Sequence, residues 1–161
     1  MLKRHSVPGS SPANLVPHGP GEAGTKPRIR VISYDAHGFE ENEVNDPARL
    51  IAGIDSGKVT WINIDGLGDI EALQALAAKY ELHPLALEDV LNTGQGPKVE
   101  ESQDHLFIVA QMVYQDKGHK ICGEQVSLFL GKNYVITVQE EPDYDVFDPV
   151  RERLRAGRGA V

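Results

Sequence analysis

Cysteine is nearly missing from this sequence. Cys122 is the one thiol in 161 residues, so neither an intrachain disulfide nor a cysteine-built zinc site can form, and the composition suits a reducing compartment. Long apolar runs are missing too: nothing approaches the roughly 18 consecutive apolar residues that a spanning helix needs. Lys3, Arg4 and His5 have no apolar core behind them, which argues against a secretory signal. Positive charge is scarce. Sixteen Lys and Arg face 24 Asp and Glu, a formal charge of -8. That balance presents no basic face to a phosphate backbone, so no nucleic-acid partner is expected, while cation binding is permitted.

What is present fits one soluble, cytoplasmic domain. Apolar residues make up 40% of the chain and the mean hydropathy is -0.32; a chain of this length can bury a real core. Residues 1–27 carry Pro8, Pro12, Pro17, Pro20 and Pro27 among Gly, Ser and His. Such a segment buries too little apolar surface to offset its ordering entropy and is expected to be mobile. The domain is expected over residues 28–161.

Arg28 to Tyr34 alternates as a strand, and Phe39 to Val44 follows as a short one. Asp46-Pro47 starts a helix with Leu50, Ile51 and Ile54 on its apolar stripe and Gly57 as its stop. Lys58 to Asp65 is β-branched and aromatic, a buried strand. Asp69 caps a helix bearing Ile70, Leu73, Leu76, Ala77 and Tyr80. After Pro97 the period changes to two: Lys98–Glu101, His105–Val113, Glu124–Leu130 and Tyr134–Gln139, the last two joined by the hairpin signal Gly131-Lys132-Asn133. Asp148-Pro149 opens an amphipathic segment with Arg151, Arg153, Arg155 and Arg158. Helices followed by a strand meander predict an α/β sandwich around a mixed sheet.

Several motifs invite catalytic readings and fail them. Gly66-Leu67-Gly68 sits between strand and helix, but Glu71 holds the third position of G-x-G-x-x-G, where a pyrophosphate needs free N–H groups; a tight turn is the better account. No phosphate-binding loop and no nucleophile elbow occur, and Ser127 lies mid-strand. Cys122 reads as a small packed side chain rather than the partner of His105 or His119. The arginines of the last segment read as partners for the domain's acids rather than as a phosphate patch. No constellation supports an enzyme.

Leu82 to Lys98 is more informative. Pro84 suits a first helical position, and Asn92, Gly94, Gly96 and Pro97 end the helix. His83 reads as its cap. Leu87, Val90 and Leu91 share one face, Asp89 lies nearly opposite and Glu88 on the flank. Adjacent acids on a surface helix are commonly just solvated. Yet Mg²⁺ takes oxygen ligands, keeps several waters and needs only one or two carboxylates, so Glu88 and Asp89 suffice chemically for half of such a site.

VTWINIDGLGD, LHPLALEDVLNTGQGPKVE, HLFIVAQMV, EQVSLFLGKNYVITVQE and DVFDPVRERLR stand in that order between residues 59 and 155. Together they resemble the cytoplasmic N-terminal domain of the CorA-type magnesium/cobalt channels. The resemblance implies an α/β/α sandwich around a mixed, largely antiparallel sheet, on the cytoplasmic side of a pentameric membrane channel. It implies that Glu88 and Asp89 face the neighbouring subunit, where with acids of its stalk helix they bind Mg²⁺ (Co²⁺ as a substitute) and hold the pore closed. The family's stalk, two membrane spans and Gly-Met-Asn pore motif do not follow Val161, and Gly96 stands where arginine is common. The chain is therefore expected to be a C-terminally incomplete sensor domain. A zinc-transporting relative and a free-standing protein-binding module of the same fold are the alternatives.

Overall fold

The computed structural model describes residues 27–46, 57–102, 104–115, 118–141 and 145–157. The expected helix from Asp46-Pro47 and the N-terminal segment before Pro27 lie outside them. Ten elements follow one another along the described chain: β1 (Arg28–Tyr34), β2 (Phe39–Val44), β3 (Val59–Asp65), α1 (Ile70–Tyr80), α2 (Pro84–Leu91), β4 (Lys98–Glu101), β5 (His105–Gln115), β6 (Ile121–Gly131), β7 (Tyr134–Gln139) and α3 (Asp148–Arg155).

The strands form one seven-stranded sheet in the order β2-β1-β3-β7-β6-β5-β4. Every pairing is antiparallel except β3 with β7, which is parallel. Register turns the period-two patterns into layers. Val31 lies opposite Ile62, Ile62 opposite Ile136, Ile136 opposite Phe129 and Phe129 opposite Phe107, one apolar row across five strands. Successive side chains point to opposite faces, so Ile29, Ile64, Val109 and Val138 join that row. The helices α1 and α2 close over it with Ala72, Leu73, Leu76, Ala86, Leu87, Val90 and Leu91, all buried in one core. Fully burying one such leucine is worth about 1.5–3 kcal/mol. The charged strand β2, with Glu40, Glu41 and Glu43, stands at one edge, where like charge discourages pairing with another chain.

The other face is polar at its centre. Trp61 Nε1 donates to Thr137 Oγ1 at 2.9 Å, Thr137 Oγ1 to Asn63 Oδ1 at 2.7 Å, and Asn63 Nδ2 to Asp65 Oδ1 at 2.7 Å. Arg30 Nη1 bridges Asp65 at 3.1 Å and Asp145 at 2.7 Å. From the segment leading into α3, Phe147 packs edge-on against Trp61 at 5.5 Å between ring centroids. Arg151, on α3 and fully buried, pairs with Asp145 and Asp148 and lies 5.8 Å from the Trp61 ring centre. Helices thus lie on both faces of a mixed sheet, the α/β/α arrangement expected. The arginine-rich segment pairs with acids as read from sequence, Arg155 reaching Glu41 from Nε at 2.8 Å.

One hairpin is longer than its sequence pattern suggests. β5 runs to Gln115 and β6 begins at Ile121, because the ladder continues through Val113–Gly123, Tyr114–Cys122 and Gln115–Ile121. Val113 and Ile121 are exposed there, so backbone pairing rather than core burial carries the extension.

Candidate functional site

The helix α2 is positioned from both ends. His83 caps it, with Nδ1 accepting from the Leu85 N–H at 3.2 Å, and Pro84 occupies the first turn. Leu82 N donates to the Ala77 carbonyl at 3.0 Å and so ties α2 to the end of α1. At the other end Asn92 N donates to the Glu88 carbonyl at 2.8 Å, and Gly94, at φ +119°, turns the chain away, a conformation that glycine alone adopts without strain.

Glu88 and Asp89 are both half-buried on this helix. Neither Asp89 carboxylate oxygen merely faces water. Gln95 Nε2 donates to Oδ1 and Lys98 Nζ to Oδ2. Lys98 Nζ also reaches Glu100 Oε1 at 2.7 Å and lies 5.4 Å from the Phe107 ring centre. Burial works against the Lys98 charge, but Asp89 and Glu100 outweigh it and hold the ammonium above its usual range.

The sheet holds the loop between α2 and β4 in place. Gln125 Nε2 donates to the Asp89 carbonyl at 2.9 Å, and Gln125 Oε1 accepts from Gly94 N at 3.4 Å. Gln111 Nε2 donates to the Gln95 carbonyl at 3.1 Å. Gln111 and Gln125 are directly paired across β5 and β6, and Lys98 lies opposite Val109, on the helix-covered face. Sequence reading finds Glu88 and Asp89 but misses Gln95, Lys98, Gln111 and Gln125. A lysine nine residues beyond an acid carries no local signal; register brings the two together.

Among the described residues no group of three or more His, Cys, Asp or Glu is placed to hold a metal ion. The other residues weighed from sequence lie apart from Asp89. His105, opposite Gly131, packs against Phe129 at 5.9 Å, whereas Cys122 stands opposite Tyr114 at the far end of the same ladder. Ser127 is buried mid-strand on β6. Gly66 takes φ +106° and donates its N–H to the Gln139 carbonyl at 3.0 Å, so the Gly66–Gly68 stretch is a turn stitched to the end of β7.

A second group of acids gathers where β6 and β7 diverge. Glu124 Oε1 accepts from Glu141 N at 2.9 Å, and Glu140 Oε1 from Gln125 N at 2.6 Å. Burial pushes the Glu124 carboxyl up to about 7, with Glu140 and Glu141 nearby adding to the rise against backbone donors that oppose it.

A profile of the CorA-like Mg²⁺ transporter proteins matches residues 56–160. The chain belongs to the CorA family. Its sequence is 43% identical over 134 residues to the cobalt/magnesium transport protein CorA of Thermotoga maritima, covering 83% of this chain and 38% of that one. The fold of this CorA-family chain is shared with the full-length CmaX protein (TM-score 0.66, 20% identity, 84% of this chain, 41% of that one). It is shared also with the soluble domain of CorA from Methanocaldococcus jannaschii (TM-score 0.59, 15% identity, 82% and 48%). The chain spans less than half the length of each of these relatives. No helix among its described residues is long and apolar enough to cross a membrane.

Proposed function

We propose that this chain is the cytoplasmic, cation-sensing domain of a pentameric CorA-type channel that moves Mg²⁺ and Co²⁺ across the inner membrane. Glu88 and Asp89 contribute the regulatory site. The observation that carries the reading is their placement: two adjacent, half-exposed carboxylates on a helix whose other side is locked into the core. They fit a hard ion that takes oxygen ligands and keeps several waters. They do not make a closed cage, since no third His, Cys, Asp or Glu is placed with them to hold an ion among the described residues. A second copy of the protein supplies the remaining ligands in this reading. Bound Mg²⁺ would supply charge there, screening carboxylates that repel across the interface. Differential affinity for the packed ring then shifts the population toward the closed state.

The test is assembly of the full-length protein in detergent, followed by mass photometry and limited proteolysis across an Mg²⁺ titration. Wild type is expected to become more protease-resistant with Mg²⁺, and Asp89→Ala to need severalfold more Mg²⁺ for the same protection. Protection that ignores Mg²⁺, or that Asp89→Ala leaves unchanged, refutes the sensor role.

A further inference from the structure

We propose that Lys98 is a built-in competitor for the cation at Asp89. Its ammonium occupies the carboxylate that a divalent ion would take, and it shifts fully to Glu100 when the ion binds. The inference rests on the reading of Asp89 as a cation ligand given above.

The geometry supplies both ends of the exchange. Lys98 Nζ contacts Asp89 Oδ2 and Glu100 Oε1 at once, so letting go of Asp89 does not strand the charge. The side chains of Lys98, Asp89 and Glu100 keep 27%, 24% and 55% of their surface exposed. Water therefore reaches all three, and the exchange avoids the large penalty of leaving a buried charge unpaired. The lysine is also delivered rather than left to wander. Its place on β4 is set by the pairing with Val109, its head lies near the Phe107 ring, and Gln125 and Gln111 fix the loop that precedes it.

The chemistry favours competition over cooperation. An ammonium and a divalent ion want the same carboxylate lone pairs, and two cations on one carboxylate repel. A tethered amine needs no diffusion to its partner and acts at an effective concentration of about millimolar or higher. Lys98 thereby raises the ion concentration at which Asp89 is captured. A solvent-reached ion pair of ordinary strength weakens the competing ion by about 1.4- to 5-fold.

The test uses the full-length protein assembled in detergent, where the neighbouring copy supplies the remaining ligands; Mn²⁺ binding is followed by electron paramagnetic resonance and Mg²⁺ binding by its displacement of Mn²⁺. Asp89→Asn is expected to abolish binding. Lys98→Met, which keeps the hydrocarbon stem, is expected to tighten it about 1.4- to 5-fold. Lys98→Gln should do the same and serves if the methionine variant folds poorly. Lys58→Met removes an equal charge at the Glu40 contact and should leave affinity unchanged. In wild type, acetylation of Lys98 by acetic anhydride should accelerate as Mg²⁺ is added, with the midpoint of the binding curve.

The outcomes separate cleanly. If Asp89→Asn abolishes binding but neither Lys98 variant tightens it, the competitor role falls and the site reading stands. Tighter binding in the variants with Lys98 acetylation indifferent to Mg²⁺ reduces the effect to a general field and overturns the exchange. If no form binds Mg²⁺ or Mn²⁺, both readings fall.

Discussion

Arg151 is fully buried in a small domain and keeps its charge because Asp145 and Asp148 flank it and the Trp61 ring lies alongside. Without Arg151, Asp145 keeps its bridge to Arg30 and Asp148 is largely exposed, so the loss is that of charge-assisted hydrogen bonds, about 1.5–3 kcal/mol. Arg151→Met is therefore expected to lower the urea midpoint by that equivalent and to shift Trp61 emission to the red as α3 loosens. Glu124 acts in the opposite sense. Its side chain is buried, Oε2 has no hydrogen-bond partner among the described residues, and its carboxyl titrates near 7 rather than 4.5. A carboxyl whose folded value is raised contributes stability that is fully present below the unfolded value and lost as pH rises through the folded one. Burial also raises Asp65 and Glu140, so all three push the same way. Stability should fall between about pH 4.5 and 7, and Glu124→Gln should flatten that slope in urea titrations run at half-unit pH steps.

Elements are where single residues become architecture. Asp69 caps α1 by accepting from Ala72 N at 2.9 Å, and Asp69→Ala is expected to cost about 1 kcal/mol in chemical denaturation. At the β6–β7 hairpin, a Cβ on Gly131 would collide with the Tyr134 ring, which in turn packs on Tyr80 at 4.0 Å. Gly131→Ala should therefore lose about 1–3 kcal/mol and weaken the near-ultraviolet tyrosine signal. Elements whose signal is local were legible in the sequence: Asp69 and Pro84 mark helix starts, and alternation marks β1, β2 and β7 within a residue. The outer ends of β5 and β6 were not, because Gly123 and exposed Val113 and Ile121 break the in-out pattern that betrays a half-buried strand. Asp89 was legible as an acid on the solvent side of a helix. Its pairing with Lys98 was not, since that contact depends on how β4, β5 and β6 align, which no window of sequence encodes.

The whole molecule carries a formal charge of -8, so any salt will relieve some self-repulsion. A cation effect means little until ionic strength is held constant. At matched ionic strength, replacing NaCl by MgCl₂ is expected to raise the thermal midpoint of the full-length assembly in wild type and much less in Asp89→Ala. Equal gains in both would make the effect screening alone. The sheet at this scale is two antiparallel halves, β2-β1-β3 and β7-β6-β5-β4, joined by the one parallel pairing, in which Thr60 meets Tyr134 and Asp65 meets Gln139. On the ribosome these halves are not contemporaries. β3, with its buried row from Thr60 to Asp65, emerges roughly 70 residues before its β7 partner, about 4–14 s earlier at 5–20 residues per second. For that interval the nascent chain displays an apolar strand with one side unpaired, a natural target for chaperones and for its own neighbours on a polysome. Slowing translation between codons 66 and 133 should raise the insoluble fraction, and supplying a chaperone that masks exposed strands should lower it again.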